Sequence, residues 1–185
     1  VIIGLGYKAR SGKDTVGEYL KYFYDFHHVY FAESLKTACG AIFKLTNEQL
    51  YGKDKENIDP YWGKSPRELL QTVGTDLLRN QFDRSIWIKS IYKLIQQFPE
   101  RDYVITDVRY PNEAVAVKKW GGLLIHINRP NKDDIGSKSK HSSETSLDDF
   151  NNWDFTLQND RTIKDLHSNV DKIMSKLGKV KHESL

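Results

Sequence analysis

The segment Gly6-Tyr7-Lys8-Ala9-Arg10-Ser11-Gly12-Lys13-Asp14-Thr15 constrains this chain more than any other. A short β-branched run at 1–5 leads into it. From Lys13 to about residue 26 the pattern turns helical, with Val16, Leu20 and Phe23 at spacings of four and three. Strand, small-residue turn and helix in that order build a loop whose backbone N–H groups curl around phosphate oxygens. A lysine reaches the outer phosphates, and the helix start adds partial positive charge. Gly12 and Lys13 stand where the pattern G-x-x-x-x-G-K-[ST] requires them. Two positions depart from it: Tyr7 holds the first glycine position, beside Gly6, and Asp14 follows the lysine, with Thr15 one place later. A hydroxyl directly after the lysine normally ligates Mg²⁺, so metal coordination through Asp14 or Thr15 is expected to run through water. The alternative is an ordinary glycine-containing strand-to-helix turn.

The rest of the chain alternates short apolar runs with amphipathic stretches. Strands are expected at 28–31, 103–106, 123–128 and 155–158, and helices at about 34–45, 65–81, 83–97, 112–120 and 162–177. Ser65-Pro66-Arg67-Glu68 is a strong helix start, with Ser65 capping, Pro66 at the first helical position and Glu68 closing a capping box. Residues 47–63 are polar and contain Pro60, so they read as a loop or short irregular helices. Strands alternating with helices, and buried-looking rather than alternating in pattern, predict an α/β fold with a mainly parallel five-stranded sheet covered on both faces. Ligands in such sheets bind at the carboxyl ends of strands.

Composition narrows the class. With 185 residues, 38% of them hydrophobic, the chain can bury a sizeable core as a single domain. No apolar run approaches the roughly 20 residues of a membrane span, and the opening VIIGLG is too short for a signal-peptide core. A single cysteine, Cys39, excludes an internal disulfide framework and fits a reducing cytoplasm. The formal charge of +3 suits a small phosphorylated ligand at least as well as a nucleic acid.

Other candidates stand at strand ends. Asp107 and Arg109 follow the strand at 103–106, where an aspartate orients Mg²⁺ or substrate; a surface salt bridge is the alternative. Arg129 follows the next strand and enters a polar stretch to 148 that reads as a flap over the phosphates, or as a solvated loop. Lys36 meets an acceptor phosphate or is an exposed helix lysine. Trp87 stacks on a base or packs in the core, and Cys39, with Leu35 and Ile42 on its helical face, is core. His141 and Glu144 have no further ligand set around them. Asn131-Lys132-Asp133-Asp134 matches the N-K-x-D guanine signature of nucleotide switches. It is displaced from the strand by Arg129 and Pro130, however, and Asp14 stands where a switch needs Ser or Thr.

Taken in order along the chain, further pieces join these. They are Phe31-Ala32 with Leu35-Lys36, Ser65-Pro66-Arg67, Gln71, Gly74-Thr75-Asp76, Phe82-Asp83-Arg84 with Trp87, Thr106-Asp107-Val108-Arg109 with Asn112-Glu113, Arg129-Pro130, Ser143-Glu144 and Asn159-Asp160. Together with the loop they resemble the deoxynucleoside monophosphate kinases of bacteriophages, within the P-loop nucleoside and nucleotide kinases. The resemblance implies a three-layer P-loop fold over 1–185, with a nucleotide-binding insertion at about 46–100 and a short lid at about 129–148. It implies that Arg10, Ser11, Gly12, Lys13, Asp14 and Thr15 hold ATP. The acceptor nucleotide would be held by Lys36, Arg67, Gln71, Gly74, Thr75, Trp87, Asp107, Arg109 and Glu113. Lys13, Arg109 and Arg129 would be catalytic, Lys13 travelling with the transferring group, Arg109 clamping the acceptor with Arg67, and Arg129 adding charge from the flap. Mg²⁺ would be reached by Asp14, Thr15 or Asp107 through water. A small-molecule substrate, a deoxynucleoside monophosphate, is the implied partner, with no nucleic acid or membrane, in the (host) cytoplasm, as monomer or homodimer. Arg161 stands where the family often has glycine. Alternatives are a kinase of another small acceptor, such as dephospho-coenzyme A, and a nucleotide-binding switch.

Overall fold

The computed structural model describes residues 1–6, 8, 10–130 and 145–182. The backbone divides into two compact units, one formed by residues 1–30 with 95–185 and the other by 31–94.

The first unit is built on a five-stranded sheet of β1 (Ile2–Gly6), β2 (His27–Val29), β3 (Tyr103–Val108), β4 (Leu123–Asn128) and β5 (Phe155–Gln158), in spatial order β2-β3-β1-β4-β5. Every pairing is parallel, as the continuous apolar strands predict. Helix α1 (Lys13–Tyr24) and the last helix of the chain (Ile163–Lys176) lie on one face, where Ile3, Leu5, Ile125 and Ile127 meet Val16, Leu20, Val170 and Met174. Each such buried aliphatic side chain contributes roughly 1.5–3 kcal/mol. Successive strand residues face opposite ways. Gly4, between Ile3 and Leu5, accordingly approaches Val117 of the helix Pro111–Lys119, which covers the other face. Three layers result.

The second unit is helical. It contains α2 (Glu33–Phe43), α3 (Asn47–Tyr51), a 3₁₀ turn (Lys53–Glu56), α4 (Pro66–Gln71), a π-helical segment (Thr72–Phe82) and most of α5 (Ile86–Gln97). One cluster of its buried residues is Leu45, Leu50 and Leu69, with Phe43 and Leu70 against it. Completing the count in chain order, α6 is Pro111–Lys119 and α7 is Ile163–Lys176. The Ser65–Glu68 capping box forms as read from the sequence, and its backbone and hydroxyl donors hold the Glu68 carboxyl below its ordinary range.

Three differences from the sequence expectations have physical causes. The helix expected over 65–81 is α-helical only to Gln71 and then widens to a π-helix through Phe82. Val73-Gly74-Thr75 is a poor α-forming run, and the Gly74 carbonyl in it accepts the indole N–H of Trp87 at 3.3 Å. The strand expected at 103–106 extends to Val108, so Asp107 lies within β3 rather than after it. The strand expected at 28–31 occupies His27–Val29, where its ladder to β3 ends. Among the described residues no helix is long and apolar enough to cross a membrane.

Candidate functional site

After β1 the chain runs to the β2 edge and returns through β3. It then crosses to β4 and β5 on the other side of β1. The reversal places a topological switch point at the carboxyl end of β1, where open parallel sheets bind their ligands. The loop that leaves there, and enters α1 at Lys13, is the one singled out in the sequence.

Its backbone is unusual where the chemistry requires. Gly12 has φ 106°, a conformation other residues seldom adopt, and a Cβ there would stand 2.5 Å from the Asn159 side-chain nitrogen. Asn159 follows β5 and donates to the Ser11 carbonyl at 2.8 Å. Arg129, following β4, donates through Nη1 to the Arg10 carbonyl at 3.4 Å. The Gly12 carbonyl accepts the Val16 N–H at 3.1 Å, opening α1. Ser11 and Lys13 are buried. A buried ammonium needs acceptors, and Lys13 Nζ donates to the Lys8 carbonyl and to Ser11 Oγ, the latter at 3.3 Å. The amine therefore lies over the loop itself. Asp14 and Thr15 are exposed in the first turn of α1.

Beside the loop, the register between β1 and β3 slips. Gly4 pairs with Ile105 and Gly6 with Val108, so Thr106 and Asp107 together lie opposite Leu5 alone. A bulge of this kind re-aims a side chain at a strand end, and here it carries Asp107, which is half-buried. Arg109 and Tyr110 follow. Their backbone N–H groups both donate to Glu113 Oε2, at 2.9 and 3.1 Å. Glu113 is buried at the third position of α6 and closes its capping box, so this carboxylate acts on the turn that bears Arg109.

In the helical unit, the Lys36 ammonium sits 4.4 Å over the Tyr51 ring, and the Tyr51 hydroxyl donates to Glu33 at 3.1 Å. Burial, followed by the Glu33 contact, pushes the Tyr51 hydroxyl's pKa upward. Arg67 Nε contacts Glu56 at 2.6 Å, with both side chains largely exposed. Gln71 ends α4, and Gly74 and Thr75 lie in the π-helical segment. Trp87 is buried with its indole N–H on the Gly74 carbonyl. Cys39 is core, and burial pushes its thiol up to about 11.

Tyr7, His141, Glu144, the Asn131–Asp134 signature and most of the lid expected at 129–148 lie outside the described residues. Sequence reading missed His28, whose ring sits between α1 and β3. The signal available was Gly17, a glycine in the interior of α1 where a close approach is the usual reason. Asn159 entered through the resemblance alone, because nothing local to it points 148 residues back to Ser11.

A family model described as deoxynucleotide monophosphate kinase matches residues 42–170. A candidate deoxynucleotide monophosphate kinase of Acanthamoeba polyphaga mimivirus is 38% identical, covering 92% of this chain and 94% of that protein. The deoxynucleotide monophosphate kinase of Escherichia phage RB69 is 32% identical over 64% of this chain and 47% of its own length. The chain thus spans the mimiviral relative almost entirely and under half of the phage one. Among solved structures, the dephospho-CoA kinase from Campylobacter jejuni superposes with a TM-score of 0.57 at 14% identity, over 95% of this chain and 96% of that one. At that identity the likeness shows the fold, a P-loop kinase fold, and leaves the acceptor open.

Proposed function

The chain belongs to the deoxynucleotide monophosphate kinase family, and on that premise we propose that it transfers the terminal phosphoryl group of ATP to a deoxynucleoside 5′-monophosphate, releasing ADP and the diphosphate. The observation that carries this reading is the loop at the switch point, with Gly12 left-handed, Lys13 buried over it and α1 opening behind it.

The acceptor is a phosphate with a second pKa near ~6, already largely an oxyanion at neutral pH. It needs no general base. What opposes reaction is repulsion between two anions and loose alignment, so the work is positioning and charge stabilisation. Lys13 accompanies the transferring group. The loop amides and the α1 terminus hold the triphosphate, aided by Arg10, Ser11, Gly12, Asp14 and Thr15. Arg129 adds charge at the loop from the end of β4. Arg109, its backbone fixed by Glu113, grips the acceptor phosphate, for which a planar guanidinium is suited. Lys36, Arg67, Gln71, Gly74, Thr75 and Trp87 of the helical unit serve the acceptor nucleotide.

Asp14, Thr15 and Asp107 supply only hard oxygen donors, the chemistry Mg²⁺ selects. Among the described residues no group of three or more His, Cys, Asp or Glu is placed to hold a metal. Hard oxygen donors fit Mg²⁺, which Asp14, Thr15 and Asp107 would help to hold through water. When bound, Mg²⁺ neutralises charge on the phosphates.

The test is ADP release from Mg-ATP across a panel of ribo- and deoxynucleoside monophosphates, with dephospho-coenzyme A included. Turnover confined to deoxynucleotides supports the proposal. Turnover on dephospho-coenzyme A alone, or tight nucleotide binding with no turnover on any acceptor, overturns it.

A further inference from the structure

Away from the phosphate loop, a chain of three polar side chains, buried at His28 and Thr106, joins α1 to the bulged end of β3. His28 Nδ1 lies 2.8 Å from Glu18 Oε1, and His28 Nε2 lies 2.9 Å from Thr106 Oγ1. The His28 side chain is 3% exposed and Thr106 is 1% exposed, while Glu18 reaches solvent at 44%. Tyr30 tilts against the imidazole at 4.4 Å, its hydroxyl 3.4 Å from Nδ1, and Lys21 stands 3.9 Å from Glu18 at the open end.

Donor and acceptor roles follow from the chemistry of the groups. An ionised carboxylate only accepts, so Nδ1 of a neutral imidazole carries the hydrogen and donates to Glu18. Nε2 then offers its lone pair, and the Thr106 hydroxyl donates into it. The bonds run in one sense, from Thr106 to His28 to Glu18.

Two independent features show that the fold makes room for this chain. Gly17 lies in the interior of α1, where glycine costs roughly 0.5–1 kcal/mol relative to alanine. A Cβ there would stand 2.4 Å from Thr106 Cγ2 and 2.8 Å from His28 Cε1 and Nε2. The β1–β3 ladder also slips at Thr106–Asp107. A bulged residue departs from the regular ladder, so the slip sets Thr106 and Asp107 apart from the even β1–β3 register.

We propose that His28 is a positioning residue: through Thr106 it fixes the bulged end of β3 that carries Asp107, while Glu18 on α1 holds the imidazole in the orientation that bond needs. The inference rests on the kinase reading for what Asp107 does. The imidazole's closest hydrogen-bond partners are Glu18 and Thr106, so its part is positioning.

The test compares variants that keep one bond and lose the other. His28→Gln places an amide oxygen where Nε2 sits and retains the Thr106 bond, whereas His28→Asn reaches only the Nδ1 position and retains the Glu18 bond. With Mg-ATP and the preferred deoxynucleotide, His28→Gln is expected to keep kcat near the wild-type value. His28→Asn and Thr106→Val should each lose roughly 10–100-fold in kcat, the scale of loss when a group that orients a metal's ligand is removed. KM for both substrates should change less, and the double variant should be no worse than either single one. Thr106→Ser, which keeps the hydroxyl, should restore kcat, and the Thr106 pair carries the test if the His28 variants do not fold.

Variants that lower the melting temperature while kcat stays unchanged overturn the proposal, because that is what packing alone predicts. If the wild-type protein phosphorylates no deoxynucleotide, the functional reading fails on its own. Amide hydrogen exchange at the end of β3 then decides the His28 proposal in the same variants. Faster exchange at residues 106–108 in His28→Asn and Thr106→Val, but not in His28→Gln, supports it; equal exchange in all overturns it.

Discussion

Asn159 donates its side-chain amide to the carbonyl of Ser11 at 2.8 Å, joining the end of β5 to the middle of the phosphate loop across 148 residues of chain. The bond takes up a loop carbonyl from outside, and its donor nitrogen fills the space that a Cβ on Gly12 would need. The shape of the loop is therefore held partly by a side chain from the other half of the sheet. Asn159→Ala should raise KM for ATP about two- to tenfold, the worth of one such hydrogen bond, with the acceptor KM unchanged. Initial-rate kinetics with each substrate varied in turn would settle it. An effect on the acceptor alone would contradict this account.

Lys13 is buried and its ammonium lies over the loop on the Lys8 carbonyl and the Ser11 hydroxyl. Lys13→Ala removes the charge that accompanies the transferring phosphoryl group, and kcat should fall by about 10³-fold or more, comparable with loss of a phosphate-directed arginine. Far-ultraviolet circular dichroism should match the wild type, because the surrounding core belongs to the sheet and α1. Normal turnover would remove Lys13 from the mechanism.

Glu113 holds the backbone N–H groups of Arg109 and Tyr110 on one carboxylate oxygen. Glu113→Ala should cost about 1 kcal/mol of stability through loss of the α6 cap. By loosening the turn that bears Arg109, it should also raise KM for the deoxynucleotide more than KM for ATP. Glu113→Gln, which keeps one accepting oxygen, should recover most of both. A variant that loses stability yet keeps its acceptor KM would confine Glu113 to capping.

Asp171 on α7 accepts hydrogen bonds from Tyr19 and Tyr24, each at 2.8 Å, and contacts Lys181 at 3.0 Å. Burial pushes its carboxyl upward, but the donors from Tyr24, Tyr19 and Lys181 outweigh it and hold the pKa below the ordinary carboxylate range. A folded-state pKa below the unfolded value of about 3.9 gives stability that is present above that value and lost as pH falls through the folded pKa. Thermal melts should show Asp171→Asn a few degrees below wild type at pH 7, with the gap closing as pH drops below about 4. A gap independent of pH would mean that the carboxylate charge is not what the two tyrosines and Lys181 recognise.

Much of this protein is legible in short stretches of its sequence. The Gly12-Lys13 loop, the Ser65–Glu68 box and the strands at 123–128 and 155–158 depend on residues within a turn or two of each other, and they fold as read. The helix from Ser65 was legible at its start, where the cap is local. Its widening past Gln71 was not, because the Trp87 indole that engages Gly74 comes from the next helix.

Periodicity and caps by themselves determined the α/β class, the parallel sheet and the place of the phosphate loop, since these follow from backbone sterics and apolar spacing along contiguous residues. Only the tertiary structure decided that Asp107 sits in a bulge, that Glu113 serves the Arg109 turn, and that His28 and Asn159 reach α1 and the loop. Those outcomes depend on how strands far apart in the chain align beside one another, and a shift of one residue in that register would pair each side chain with a different neighbour.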